Sequence, residues 1–258
     1  MKNLIFILIL FSNINIYSQS TLTSLNFGKN NDFHSTRSVL QTITNTTFYN
    51  SNNTTEQTKE IKSYNTQNNI VTEFRYDGEG NLKQRLTRSY DSTGVRCIGR
   101  KFENWHRYLG HTIEIAYYNY DSKGYLVNVT DKDQNGNIFR HTDFVNDEKG
   151  NPIEIINFKG NQIIGTEKNE YDYDKNEVII KYFDINNQLM NSQTSKINFS
   201  KSDPADIVNE YGDIIKSSKY EMELKYDKFG NWIKKKYSTI TEGKIVKKSE
   251  TTRTIKYL

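Results

Sequence analysis

Residues 220–237 read Y-E-M-E-L-K-Y-D-K-F-G-N-W-I-K-K-K-Y. Before Asp227, Tyr220, Met222, Leu224 and Tyr226 alternate with Glu221, Glu223 and Lys225, and a period of two marks a strand with one half-buried face. Asp227 and Gly230 then supply turn chemistry: an Asp carboxylate accepts hydrogen bonds from backbone two residues on, and Gly takes the left-handed position without a Cβ penalty. The stretch therefore reads as a β-hairpin. Placing Tyr226 opposite Asn231 pairs Leu224 with Ile233, Tyr220 with Tyr237, Glu223 with Lys234 and Glu221 with Lys236. A one-residue slip sets Leu224 against Lys234 and Glu223 against Ile233, so the apolar and charge matches vanish together. The first register is the expected one, and it puts Trp232 on the face of Lys225, Lys234 and Lys236.

The same D-x-x-G pattern recurs along the chain. It opens at Asp77 and closes at Gly80, then at Asp91 and Gly94, Asp121 and Gly124, Asp133 and Gly136, Asp147 and Gly150, and Asp227 and Gly230. Random placement of 15 Asp and 14 Gly in 258 positions would give roughly one match, so six copies indicate a repeat array. Degenerate copies stand at Asn157–Gly160, Asp184–Asn187 and Asn209–Gly212, with Asn replacing Asp as opener or Gly as the residue of positive φ. Nine turns and roughly sixteen short strands follow. The fold class is all-β, an extended antiparallel meander of repeated hairpins. An open twisted sheet is expected rather than a closed barrel, with very little helix. The best helical window is 203–210.

Tyr precedes the Asp in four of the six copies, at Tyr76, Tyr90, Tyr120 and Tyr226, as in FRYDGEGN and YNYDSKGY. From Phe74 to Tyr237 this pattern resembles the YD-repeat, or RHS-repeat, family. The resemblance implies a secreted or surface-exposed protein built as an extended β-meander, with associations to carbohydrate binding and to shells that enclose a toxin domain. The chain departs from the family in two ways: Asn commonly follows the Gly where Arg-Leu is usual, and the repeat spacing is irregular.

Composition bounds the remainder. Of 258 residues, 34% are hydrophobic and 26% charged, so the 18 Tyr and 13 Phe must supply much of the buried area through amphipathic rings. A net charge of +4 is too mild to imply a nucleic-acid partner. From Asp213 onward, however, 12 Lys or Arg face 6 Asp or Glu. This basic end is a candidate contact surface, or simply a lysine-protected terminal edge. Residues 1–18 read as a signal peptide, with Lys2, an apolar run LIFILILF too short to span a bilayer, and cleavage expected after Ser18. Residues 19–60 read as a polar tether with one or two strands, and 61–258 as the repeat domain. With Cys97 the sole cysteine, no internal disulfide forms.

The expected function is that of an exported, non-enzymatic binding or scaffold module at the cell envelope, secreted or periplasmic, with a cell-envelope polysaccharide or another envelope protein as partner. The alternatives are a partner-binding, immunity-type protein and a carboxylate-dependent hydrolase. Ligand-binding candidates are Trp105, Trp232, Lys225, Lys234 and Lys236, because sugar rings stack on exposed aromatic faces. The turn-flanking tyrosines are either further stacking platforms or cross-strand packing. No catalytic residue, cofactor or metal is assigned. Cys97 with His106 or His111 lacks a flanking nucleophile signature. The calcium-like run from Asp131 to Gly136 lacks an acid at its twelfth position, Thr142, and coincides with a repeat turn. Monomer or weak self-association is expected, with no membrane span.

Overall fold

The computed structural model describes residues 20–26, 33–34, 37–198 and 205–258. The expected signal peptide lies outside the described residues. The chain is all-β: its strands form an open antiparallel sheet, not a closed barrel, and the one helix among the described residues is the six-residue α1 (Thr21–Asn26). Two compact units divide the described residues, the first made of 20–26, 118–130 and 138–198, the second of 33–34, 37–117, 131–137 and 205–258.

In the second unit the meander runs through β1 (Val39–Tyr49), β2 (Thr55–Tyr64), β3 (Ile70–Asp77), β4 (Leu82–Tyr90), β5 (Cys97–His106) and β6 (Gly110–Tyr120). After β7 (Leu126–Asp133), the first unit carries β8 (Ile138–Asn146), β9 (Pro152–Lys159), β10 (Gln162–Asp172), β11 (Glu177–Phe183) and β12 (Leu189–Lys196). The chain ends in the second unit with β13 (Ile207–Val208), β14 (Ile214–Lys216), β15 (Tyr220–Tyr226), β16 (Trp232–Thr241) and β17 (Lys244–Tyr257). β17 pairs with both β16 and β1, from Val39 opposite Tyr257 to Phe48 opposite Ser249. The lysine-rich C-terminal strand is thus interior to the sheet and not an edge.

β1 also pairs with β2 along its length. Within the stretch 19–60, read as a tether with one or two strands, β1 and most of β2 are thus paired sheet strands, and position 61 falls inside β2. Its turns escaped notice because they are written in Asn: Asn53 and Asn68 adopt φ 62° and 58°, and Asn65 Oδ1 accepts the N–H groups of Gln67 and Asn69 as an Asp would. At all six D-x-x-G copies the Gly has φ between 73° and 87°, and its N–H donates to the Asp carbonyl at 3.0–3.1 Å. The Asn157–Gly160 copy is different. Asn157 lies within β9 opposite Gly165, and Gln162 pairs with Lys159, leaving a two-residue turn at Gly160 and Asn161. The helical window is also overturned where it is described: Ile207 and Val208 pair with β14, and Asn209 Oδ1 gathers the Tyr211 and Asp213 N–H groups into a turn.

The hairpin of β15 and β16 keeps the expected parity but moves its partners by two. Leu224 faces Lys235, Glu223 faces Lys236 and Met222 faces Tyr237. Asn231 belongs to the loop, its N–H bound to Asp227 Oδ1, and a register shift at Lys225/Tyr226 sets Tyr226 against Trp232, which inserts one further residue. Tyr220 and Tyr237 still touch as a diagonal pair, with ring centroids 5.7 Å apart.

Apolar clusters are small. In the first unit Leu25 packs with Val178, Ile180 and Ile197. In the second, Val39, Tyr64 and Ile70 carry Phe33, Ile255 and Tyr257. Much of what else is buried is polar, including Thr42, Glu73, Glu103, Asp131, Asn231, Thr251 and Arg253, so hydrogen bonds and ion pairs must satisfy these groups. Tyrosine hydroxyls do part of this at the turns. Tyr173 bonds Asp147, Tyr257 bonds Asp227, and Tyr226 reaches Asp213 Oδ2 at 2.6 Å.

Candidate functional site

The inserted residue, Ile233, turns Trp232 onto the face of Lys235, away from Lys234 and Lys236. There, within the second unit, a groove of about 210 Å³ is bordered by Thr42, Thr44 and Thr46 of β1, Glu60, Lys62 and Tyr64 of β2, Trp232 and Lys235 of β16, and Thr251 and Arg253 of β17. Alternation explains the threonines, since every second residue of β1 faces one way, and Thr44 and Thr46 pair with Arg253 and Thr251.

The Arg253 guanidinium carbon sits 3.7 Å from the Trp232 ring centroid, and the Lys235 ammonium 4.4 Å. Arg253 is 5% exposed, and its Nε donates to the Trp232 carbonyl at 2.9 Å, so side chain and backbone are locked together. Desolvated cation–π contacts of this kind contribute about 1–2 kcal/mol each. Tyr64 Oη and Thr42 Oγ1 share a hydrogen bond at 3.1 Å, as do Thr46 and Thr251 through their hydroxyls. Glu60 holds Lys62 at 2.7 Å and Arg75 at 3.3 Å. Phe33 packs on two of the lining residues, edge-on to Tyr64 at 5.2 Å and also 5.2 Å from the Arg253 guanidinium. The groove thus offers an indole, the cations Arg253 and Lys235, a Lys62 paired with Glu60, and a row of hydroxyls, a set suited to ring stacking, anion pairing and hydrogen bonding.

The structure does not gather the other expected residues here. Lys234 and Lys236 lie on the opposite face, engaged with Glu250 at 2.6 Å and Glu223 at 2.7 Å, and Lys225 stands opposite Lys234. Lys247 also reaches Glu250, at 2.9 Å, and the ammoniums of Lys234 and, second, Lys247 hold the Glu250 carboxyl at about 2. Trp105 is on β5, with β17, β1, β2, β3 and β4 between it and Trp232 in the pairing order. It stacks on His111 at 4.7 Å, next to a second unforeseen feature. Buried Glu103, 2% exposed, is bonded by Arg85 Nε at 2.5 Å and approached by Lys101 at 3.3 Å and His111 at 3.4 Å. The Arg85 hydrogen bond outweighs burial and draws the Glu103 carboxyl down to about 2.

Cys97 is buried and its thiol donates to the Gly99 carbonyl at 3.4 Å. Burial pushes its pKa up. His106 lies at the far end of the same strand, and His111 opposite Trp105, about 25–30 Å along a strand rising 3.3 Å per residue. In the calcium-like run, Asp133 Oδ1 accepts the Asn135 and Asn137 N–H groups, whereas buried Asp131 faces Arg100 at 3.6 Å. The run does not converge on a cation. Sequence reading missed Arg253, Lys235 and the threonine rows. Their signal was present in the alternation T-I-T-N-T of residues 42–46 and T-T-R-T of residues 251–254, but only the pairing of the first strand with the last brings them together.

No family model matches the chain, and no curated protein matches it. Among solved structures, a porin-like protein from Bacteroides uniformis is similar over 87% of this chain and 100% of its own, at 13% identity and a TM-score of 0.46. A putative outer membrane lipoprotein-sorting protein domain from Vibrio parahaemolyticus shares 9% identity over 92% of this chain and 93% of its own, with a TM-score of 0.24. The TcdB2-TccC3-Cdc42 structure shares 12% identity over 81% of this chain, which spans 14% of that one, with a TM-score of 0.25. Likenesses this distant carry no functional argument.

Proposed function

We propose that this chain is an exported β-repeat binding module of the cell envelope, without catalytic activity, that holds an anionic polysaccharide in the Trp232 groove. The observation that carries the reading is the indole of Trp232 flanked by Arg253 and Lys235 beside rows of threonine hydroxyls. A sugar ring can lie against the half-buried indole while its carboxylate or sulfate meets the cations, and the threonines can bond its hydroxyls. Kinship with YD-repeat proteins is part of the proposal, supported by the recurrent Asp and Gly turn with its tyrosine bonds. Export is supported by the apolar run and small residue of positions 1–18. Among the described residues no helix is long and apolar enough to cross a membrane.

The test is co-sedimentation of the chain from Gln19 onward with peptidoglycan, lipopolysaccharide and neutral and anionic polysaccharides, each at low and high salt. Binding to anionic polymers that partly survives salt and falls at least tenfold in Trp232→Ala supports the groove. Binding abolished by salt and unchanged in Trp232→Ala points to the general surface charge instead, and no binding to any polymer moves the reading to a protein partner.

A further inference from the structure

The first unit carries a buried carboxylate that the polysaccharide reading does not use. Glu167, on β10, is 1% exposed, and its Oε2 accepts both the Thr21 N–H at 3.0 Å and the Thr21 hydroxyl at 2.9 Å. This is the polar anchor of α1, whose Leu25 completes the cluster of Val178, Ile180 and Ile197. The other oxygen, Oε1, is buried without a hydrogen-bond partner, and so is Oδ1 of Asn169, two residues along the same face of the same strand. Asn169 is 6% exposed, and its Nδ2 is committed to the Pro152 carbonyl at 2.8 Å.

Two buried acceptors without a donor are costly. The register places Ile155 of β9 and Tyr182 of β11 beside Glu167, with Ile180 beside Asn169, and α1 contributes no charged residue. Of the titratable groups there, Tyr182 accepts from Gln193 Nε2 at 2.8 Å, Tyr171 donates to the Pro152 carbonyl, and Tyr173 bonds Asp147 beyond it. Lys168 and Glu154 pair on the opposite face. Thus, among the described residues, no cation on this face balances the carboxylate. We propose that Glu167 takes up a proton when α1 docks, so that Oε1–H becomes the missing donor next to Asn169 Oδ1 and the N-terminal helix is a proton-linked latch.

Burial pushes the Glu167 pKa up, opposed by the Thr21 hydrogen bonds, in agreement with this geometry. The sign follows from linkage. The released carboxylate is solvated and ordinary, the docked one holds its proton to higher pH, so docking is favoured in acid and weakens as pH rises above the ordinary carboxylate range. Above that range each pH unit weakens docking by up to about tenfold, until the docked carboxyl also ionises. Release would uncover the apolar cluster that Leu25 caps.

Hydrogen exchange of residues 20–26 in the full chain, corrected for intrinsic exchange rates, tests this between pH 5 and 8. The wild type should lose protection with rising pH. Glu167→Gln, whose amide both accepts from Thr21 and donates toward Asn169, should stay protected throughout, and Glu167→Ala should be unprotected throughout. A flat wild-type profile, or a Gln variant that is unprotected at every pH, overturns the proposal. An Ala variant that stays protected does too. Both tryptophans lie in the second unit, so unchanged tryptophan fluorescence confirms that this unit is folded in each variant, while exchange of residues 177–183 reports the first.

Discussion

Tyr257 donates its hydroxyl hydrogen to the carboxylate of Asp227, 30 residues earlier in the chain. Asn231 Nδ2 donates to the same hydroxyl oxygen at 2.8 Å, so the last strand bonds both the opening Asp and the closing Asn of one turn. Tyr173 does the same to Asp147 and Asn151. The tyrosines of this array tie one hairpin's turn to another strand, which accounts for ordered turns in a protein with small apolar clusters.

Tyr257→Phe should therefore cost about 1–3 kcal/mol, because it leaves Asp227 and Asn231 short of a partner. Burial, and then the neighbouring Asp227, raise the Tyr257 pKa above its ordinary 10.0. The folded state thus keeps the phenol proton longer than the unfolded chain, and this contribution is present below about pH 10 and lost as pH rises beyond it. Denaturant titrations between pH 8 and 11 should show an alkaline decline that is smaller in the variant.

Two glycines separate backbone strain from crowding. A Cβ at Gly150, with φ +81°, would meet the Tyr125 ring at 2.5 Å, whereas at Gly80, with φ +85°, nothing lies within 4 Å. Gly80→Ala should cost about 1 kcal/mol from strain alone. Gly150→Ala should cost about 2–4 kcal/mol, and Tyr125→Ala in the same chain should recover part of it. Equal melting shifts at the two positions would refute the crowding argument.

Glu103 makes the second unit acid-sensitive. Its folded pKa of about 2 lies below the ordinary 4.5, chiefly through the Arg85 hydrogen bond, so its contribution is present above pH 4.5 and lost as pH falls toward 2. Arg85→Ala should destabilise by about 1–3 kcal/mol at pH 7 and flatten the decline between pH 5 and 3, read by tryptophan fluorescence.

Lys235 and Lys236 are sequence neighbours on opposite faces. If the Trp232 groove binds an anionic polymer, Lys235→Ala should weaken binding about two- to fivefold and reduce its salt dependence, while Lys236→Ala should leave the affinity unchanged. Equal losses would place the contact on general charge.

The hairpin architecture was legible in the sequence because its determinants are local. Asp, Asn and Gly at fixed offsets act through bonds to backbone two to four residues away, and alternation along a strand needs no partner to be recognised. The Asn-written turn of residues 65–68 obeys the same chemistry, and that of residues 50–53 shares its positive-φ Asn and its backbone bond. They were missed only because Asn replaced both expected letters.

Register, neighbours and the groove were decided elsewhere. One inserted residue, Ile233, changed which face Trp232 occupies, a choice that local bulge geometry makes and alternation cannot reveal. β1 and β17 lie some two hundred residues apart in the chain, yet their pairing creates the threonine rows, buries Arg253 against Trp232 and brings Tyr257 to Asp227. Local turn chemistry determined that this chain would be a β-meander; long-range strand pairing, which depends on the free energy of the whole sheet, decided which side chains meet.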